Sequence, residues 1–254
     1  MSKFSASRGA KRKIECPQHG EYDSEQIGVF NEVWSRCPTC EQVLAKASQE
    51  AKQLRLEQEA AAAWSAKQDA AGVPLRFRDR TLESYSAQTD AQKSALKWAS
   101  DYAMQFDEVL ASGRGMLFLG RPGTGKTHLA CAIANHLLLK GVDVYYATVQ
   151  RALRRVKDTW NREAEETENA AVAAMTRPAL LILDEIGVQF GSETERNLLF
   201  DILNERYERC KPTLLLSNLA KQDVAKYLGE RVMDRMREDG GRVVTFDWDS
   251  HRSR

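Results

Sequence analysis

From residue 74 onward, short apolar runs alternate with amphipathic stretches of helix length. The runs are 116–119, 142–147, 180–183, 213–216 and 243–246. Unbroken apolar runs of strand length belong to strands buried on both faces, and their alternation with helical patterns predicts a parallel sheet covered by helices on both sides. The helix before 213 shows the local logic: Ser192 is placed to cap it, Glu195 to reach back in a capping box, and Leu198, Leu199, Ile202, Leu203 and Tyr207 form one apolar face. Upstream the pattern changes. Residues 41–71 contain neither Gly nor Pro and are rich in Ala, Gln, Glu and Lys, with a narrow apolar stripe of Leu44, Ala47, Ala51, Leu54 and Ala61. One helix is predicted there, about 46 Å long at ~1.5 Å per residue and mostly unpacked. Gly72-Val73-Pro74 ends it. The expected organisation is a polar, turn-rich module at 1–40, a helical arm at 41–73 and an α/β domain at 74–254, without internal repeats.

Composition narrows this picture. A chain of 254 residues that is 43% hydrophobic and 29% charged can bury a core, which excludes a disordered or fibrous protein. Lys+Arg 37 against Asp+Glu 36 leaves a net charge of +1, so affinity for nucleic acid must come from local patches, and a histone-like binder is excluded. Residues 1–13 carry Lys3, Arg8, Lys11, Arg12 and Lys13 without the apolar run of a signal peptide. No run approaches the roughly 18 apolar residues of a membrane helix. A cytoplasmic protein without a membrane partner is expected. Five cysteines, with Cys16, Cys37 and Cys40 crowded near the start, suit a metal site in a reducing compartment better than a disulfide framework.

Gly120-Arg121-Pro122-Gly123-Thr124-Gly125-Lys126-Thr127 matches the phosphate-loop pattern, follows the apolar run 116–119 and opens a helical stretch ending at Gly141. Glycines let successive N–H groups curl around a phosphate, and the helix start adds partial positive charge. Lys126 is expected on the β- and γ-phosphates of ATP and the Thr127 hydroxyl on Mg²⁺. His128 is counted with the nucleotide-contacting residues, although it reads, with His136 and His251, as a local hydrogen-bonding side chain. The run Leu180-Leu181-Ile182-Leu183 ends in Asp184-Glu185, where α/β sheets bind ligands. Asp184 is expected to hold Mg²⁺ through water and Glu185 to act as general base toward the attacking water. Asn218, closing the 213–216 strand, is the candidate for orienting that water.

Cys16-Pro17-Gln18-His19 and Cys37-Pro38-Thr39-Cys40 form two knuckles, each able to give two ligands to one tetrahedral Zn²⁺ with no position left for water. The site reads as a structural zinc ribbon. Metal binding of about 10–16 kcal/mol would replace the core that forty polar residues cannot build. Cys131 and Cys210 read as packing residues on helix faces.

The phosphate loop, the LLILDEIG strand, TLLLSN, GERVMDRM and the terminal FDWDSHRSR, in this order, resemble the DnaC-type AAA+ ATPases, the bacterial and phage loaders of the replicative helicase. The likeness covers roughly 75–254. It implies a five-stranded parallel sheet with the Asn218 strand between the phosphate-loop and Asp184 strands, and no full helical lid. It implies that Arg235 is the finger reaching a neighbouring subunit's γ-phosphate in a homo-oligomer, and that Arg252 contacts nucleotide in its own subunit. It also places a DNA-contacting insertion at Arg151, Arg154, Arg155 and Lys157, with Trp160 able to stack; against that stands a solvated helix paired with the acids at 163–168. The region before the ATPase binds the helicase in this family, so zinc ribbon plus arm is the expected docking element for a DnaB-type ring, with DNA binding by the ribbon as the competing possibility. The implied activity is ATP-dependent delivery of that helicase to single-stranded DNA. The alternatives are an IstB-like transposition-accessory ATPase on duplex DNA and a nucleotide-switched adaptor with little turnover.

Overall fold

In the computed structural model, residues 10–27, 33–187 and 192–251 are described. The chain divides into two compact units, 1–64 and 65–254.

The first unit begins with a hairpin of β1 (Lys11–Cys16) and β2 (Gly20–Glu25), antiparallel with Lys11 opposite Glu25 and Cys16 opposite Gly20. Ser24 is buried and donates to the Ser35 carbonyl at 2.7 Å, tying the returning chain to the hairpin. The Arg12 guanidinium lies 4.1 Å from the centre of the Trp34 ring. Helix α1 (Pro38–Ala70) then starts inside the second knuckle, earlier than the expected 41, because Pro38 occupies the first helical position, where its fixed φ and missing N–H cost nothing. Leu44 and Leu54 of its narrow stripe remain exposed, in keeping with an unpacked helix.

The second unit takes in the last turns of α1, so the expected boundary at 73 falls inside it. Buried Gln68 donates to Asn135 (2.9 Å) and to the Arg78 carbonyl (2.8 Å). The unit continues through α2 (Asp90–Met104), α3 (Phe106–Ser112), β3 (Met116–Gly120), α4 (Lys126–Leu139), β4 (Val144–Thr148), α5 (Val149–Asp158), α6 (Glu168–Thr176) and β5 (Leu180–Ile186). It ends with α7 (Glu193–Glu208), β6 (Thr213–Ser217), α8 (Lys221–Leu228), α9 (Glu230–Arg235) and β7 (Arg242–Phe246). The five strands are parallel in the order β4-β5-β6-β3-β7, so β6 lies between the phosphate-loop strand β3 and the Asp184 strand β5, as the resemblance implied. Leu117, Leu181, Leu183 and Leu215 are fully buried in the sheet's core, which explains the unalternated apolar runs. The capping box of Ser192 and Glu195 is present on α7, and a second one, Thr89 with Gln92, starts α2.

Arg206 of α7 is fully buried, and among the described residues no carboxylate forms an ion pair with it. It donates to the carbonyls of Met175 (2.9 Å), Pro178 (2.9 Å) and Pro212 (2.7 Å) and to the Thr213 hydroxyl (3.0 Å). Burial pulls its pKa down to about 10, which leaves it charged at neutral pH. The side chain staples α7 to the chain entering β5 and β6. Cys131 is buried as expected, but Cys210 is not: it sits exposed in the turn after α7 with φ 50°, because the helix has already ended there. No helix among the described residues is long and apolar enough to cross a membrane.

Candidate nucleotide and metal sites

The carboxyl ends of β3, β5 and β6 meet at one edge of the sheet, and the sequence-predicted phosphate loop leaves β3 there. Two of its glycines are required by neighbours as well as by a phosphate. A Cβ on Gly120 would lie 2.1 Å from the Phe246 carbonyl oxygen, and one on Gly125, at φ 97°, would lie 2.7 Å from the Tyr85 ring. Lys126 is buried, and its ammonium donates to the carbonyls of Gly120 (2.6 Å) and Arg121 (2.8 Å). Helix α4 begins at Gly125 without a side-chain N-cap, as α3, α8 and α9 also begin without one. The loop fits a nucleotide phosphate on its glycine cradle, where a Cβ at Gly120 or Gly125 would collide with a neighbour, and on a helix start that carries no side-chain cap.

The Thr127 hydroxyl donates to Asp184 Oδ2 at 2.9 Å, joining residues far apart in sequence into the oxygen pair that a Mg²⁺ site needs. Two further groups fix that carboxylate. The Glu185 N–H donates to Oδ1 at 2.7 Å, and the Tyr146 hydroxyl, from edge strand β4, donates to Oδ2 at 2.8 Å. Burial first, and then the Asp184 carboxylate, hold the Tyr146 phenol protonated well above its ordinary range. Tyr146 carries no local sequence signal, since in the run 142–147 it reads as one more strand residue. Glu185 is exposed and has φ 63°, an uncommon conformation for a non-glycine residue, at the point where the β5–β6 register shifts between Leu183 and Ile186. The irregularity turns Glu185 out of the strand while Asp184 stays buried. Asn218 is exposed immediately after β6, and the neighbouring Ser217 hydroxyl donates to the Ile186 carbonyl at 2.7 Å, closing β6 against β5.

The His128 ring is engaged by the segment before α2. Its Nε2 lies 3.2 Å from Ser84 Oγ, its ring packs edge-on against Tyr85 at 5.3 Å, and burial lowers its pKa, so it joins the segment before α2 to α4. That agrees with the local hydrogen-bonding reading of its side chain. The chain after β7 binds the loop: Trp248 Nε1 donates to the Thr124 carbonyl at 2.9 Å, and the His251 N–H to the Gly123 carbonyl at 3.0 Å. Arg252 lies outside the described residues.

Arg235, at the end of α9, shares its surroundings with Gly113, Gly115 and Thr213 at the amino ends of β3 and β6. It is thus at the opposite end of the sheet from Gly120. The four cations of α5 separate into two kinds. Arg151 and Arg154 are exposed. Arg155 makes two bonds to the Glu166 carboxylate (2.7 and 2.9 Å) and one to the Tyr145 hydroxyl (3.1 Å), and Lys157 pairs with Glu195 at 2.8 Å. Trp160 donates to Glu168 at 2.8 Å.

In the first unit, Cys16 ends β1, His19 lies in the hairpin turn, and Cys37 and Cys40 flank the start of α1. Their ligand atoms all lie within 4.8 Å of one another. The Cys16 and Cys40 sulfurs are 3.6 Å apart, and His19 Nδ1 is 3.7, 3.7 and 3.3 Å from the sulfurs of Cys16, Cys37 and Cys40. Bonds of about 2.3 Å to sulfur and 2.0–2.1 Å to nitrogen give tetrahedron edges of about 3.5–3.8 Å, so the donor set fits one zinc ion. Hydrogen bonds from the main-chain N–H groups of Gln18 and Cys40 lower the Cys16 and Cys37 thiols, whereas the hydrogen bond with Cys16 pushes Cys40 up to about 11.

Comparison with known proteins gives the same result for the second unit. The family of IstB-like ATP binding proteins matches residues 70–254, leaving the cysteine module outside the match. The chain is 39% identical over 183 residues to the replicative helicase loader DnaC of Escherichia coli strain K12, covering 72% of this chain and 73% of that protein. A crystal structure of the DnaC helicase loader superposes with a TM-score of 0.60 at 25% identity, over 68% of this chain and 99% of that one. The crystal structure of DnaI shares the fold at a TM-score of 0.58 and 23% identity, over 68% of this chain and 93% of that one. The chain belongs to the IstB-like ATP binding family, as an AAA+ protein of the DnaC type.

Proposed function

We propose that this chain is an ATP-driven loader that holds a replicative ring helicase and delivers it to single-stranded DNA. The likeness to DnaC over 183 residues carries the loader reading, and the meeting of Thr127, Asp184 and Glu185 at one sheet edge supports ATP hydrolysis. Lys126 exchanges its two carbonyl acceptors for phosphate oxygens, and the uncapped start of α4 supplies N–H donors. Tyr146 and the Glu185 N–H keep the Asp184 carboxylate oriented. Magnesium, when held by Thr127 and Asp184, supplies charge neutralisation on the phosphates. Glu185, turned out to solvent, accepts the proton of the attacking water, and Asn218, just past the end of the neighbouring strand β6, orients that water. Arg235 cannot serve its own loop from the other end of β3, some ~16 Å away at ~3.3 Å per residue, and so serves the site of an adjacent copy. The cysteine module holds Zn²⁺ as a structural ion and, with α1, forms the arm that docks the helicase.

Mixing the chain with purified ring helicases in ATP and then in ADP, and sizing the products, tests this. A complex in ATP that dissociates on turnover is expected; no complex in either nucleotide would sink the loader reading. At fixed salt, a preference for duplex over single-stranded DNA would favour a transposition-accessory role.

A further inference from the structure

Arg235 is not left loose on the surface. Its Nη1 donates to Asn204 Oδ1 at 2.5 Å, and its guanidinium carbon lies 4.1 Å from the centre of the Tyr207 ring. Both partners are neutral and both come from the last turns of α7. Each is oriented by an acid of its own: the Asn204 amide donates to Glu208 at 2.7 Å, and the Tyr207 hydroxyl donates to Glu238 at 2.6 Å. Among the described residues no carboxylate forms an ion pair with Arg235. Between the two partners in sequence stands Arg206, whose bonds to the carbonyls of Met175, Pro178 and Pro212 fix this turn of α7 to the core.

The arrangement has a physical logic. A free arginine carries considerable rotamer entropy, which is lost when it closes on a phosphate. Holding it beforehand removes that loss, and a ring face and an amide oxygen do so without neutralising the charge. A carboxylate in direct contact would instead compete with the phosphate. We propose that Asn204 and Tyr207 are positioning residues that hold the Arg235 guanidinium in place for the nucleotide of a second copy of this chain. The proposal rests on the reading of Arg235 as a finger acting between subunits.

The test is steady-state ATPase of the full chain in the presence of single-stranded DNA. Asn204→Ala and Tyr207→Ala should each lower kcat about tenfold and leave KM for ATP within about twofold, since an interaction made only in the transition state is lost. Tyr207→Phe keeps the ring and should stay within about threefold of the native kcat. The decisive measurement mixes Tyr207→Ala with Lys126→Ala. The first has an intact nucleotide site and a displaced finger, the second the reverse, so mixed assemblies should exceed the activity of either alone. A purely structural defect within the Tyr207→Ala subunit would not be rescued, and absence of recovery overturns the proposal. Full kcat in both alanine variants alongside an inactive Arg235→Ala would also overturn it while leaving the finger in place. A fully active Arg235→Ala would instead overturn the finger itself.

Discussion

Two places in this molecule gather metal-ligating atoms, and they are built in opposite ways. In the first unit, Cys16, His19, Cys37 and Cys40 come from two short stretches and close a tetrahedron. Among the described residues before 65, the buried ones are Cys16, Ser24 and Cys37, so hardly any apolar core stands behind the cluster. In the second unit, Thr127 and Asp184 come from distant stretches and are brought together by a sheet whose leucines are fully buried. Where so few of the described residues are buried, a bound metal would do the folding, with every coordination position filled from the protein. Where a core does the folding, two oxygens suffice and the remaining positions can be left to an exchanging substrate.

Metal removal is the largest test of that contrast. A chelator, or Cys37→Ser, should unfold the first unit, because metal binding of about 10–16 kcal/mol has no apolar burial to replace it. Nucleotide affinity of the second unit should be unchanged. Amide dispersion in an NMR spectrum beside a nucleotide titration reads both; a first unit that stays ordered without metal would break the comparison. Next in size is Lys126→Ala, which removes a charge-assisted contact to phosphate and should weaken ATP binding by at least about 100-fold, ~2.7 kcal/mol, with the thermal melting of the second unit nearly intact. Retained affinity would show that the loop does not cradle a triphosphate.

Features that depend on short-range spacing were legible in the chain: the two knuckles, the phosphate loop, Asp184-Glu185 and the Ser192–Glu195 capping box all lie within a few residues. The resemblance supplied the strand order, which no local pattern carries. Groups that depend on distant partners were not legible. Tyr146 looks like any strand tyrosine until β4 is laid beside β5. Arg206 sits in a helix rich in charged residues and reads as surface, although its partners are the carbonyls of chain entering two strands. Asn204 was visible only as a helix position, and Tyr207 read as part of the apolar face of α7, whereas in the structure it is exposed and packs on Arg235. One missed feature did have a signal, the early start of α1, since a proline after Cys37 is what a first helical position favours. Glu166 was one of the acids at 163–168, but nothing there told which cation it would take, and Glu195 read only as a capping-box residue far from Lys157 in sequence.

Tyr146→Phe sharpens the contrast from the side of the open site. The change removes the hydroxyl that donates to Asp184 at 2.8 Å and leaves the ring in its buried place. A hydrogen bond to a charged group is worth about 1.5–3 kcal/mol, and Thr127 and the Glu185 N–H still hold the carboxylate, so the expected loss in kcat is about tenfold at the lower end of that range. The melting temperature should move little. If the site were fixed by its ligands alone, as in the cysteine cluster, kcat would be unaffected.

The smallest effects belong to the exposed face of α5, where neither metal nor core holds the side chains. Replacing Arg151 and Arg154 together by Ala should weaken single-strand binding and lower the slope of log affinity against log salt by about 1.4, at ~0.7 for each phosphate no longer neutralised. Arg155 and Lys157 should contribute less, because their charges are spent within the chain on Glu166 and Glu195. The hydrogen bond from Arg155 holds the Glu166 carboxyl below its ordinary range, and Lys157 does the same for Glu195. A depressed carboxylate pKa means the pair is intact above the unfolded carboxylate value and is lost as pH falls through the lowered one, so at neutral pH both cations stay paired. Arg155→Ala then exposes an unpaired acid on the same face, and part of any affinity it loses should return when Glu166→Gln is added. Titrations of labelled single-stranded DNA at several salt concentrations separate these cases. Equal slope changes from both pairs of cations would show that the ion pairs open on binding, and that α5 meets the nucleic acid with all four charges.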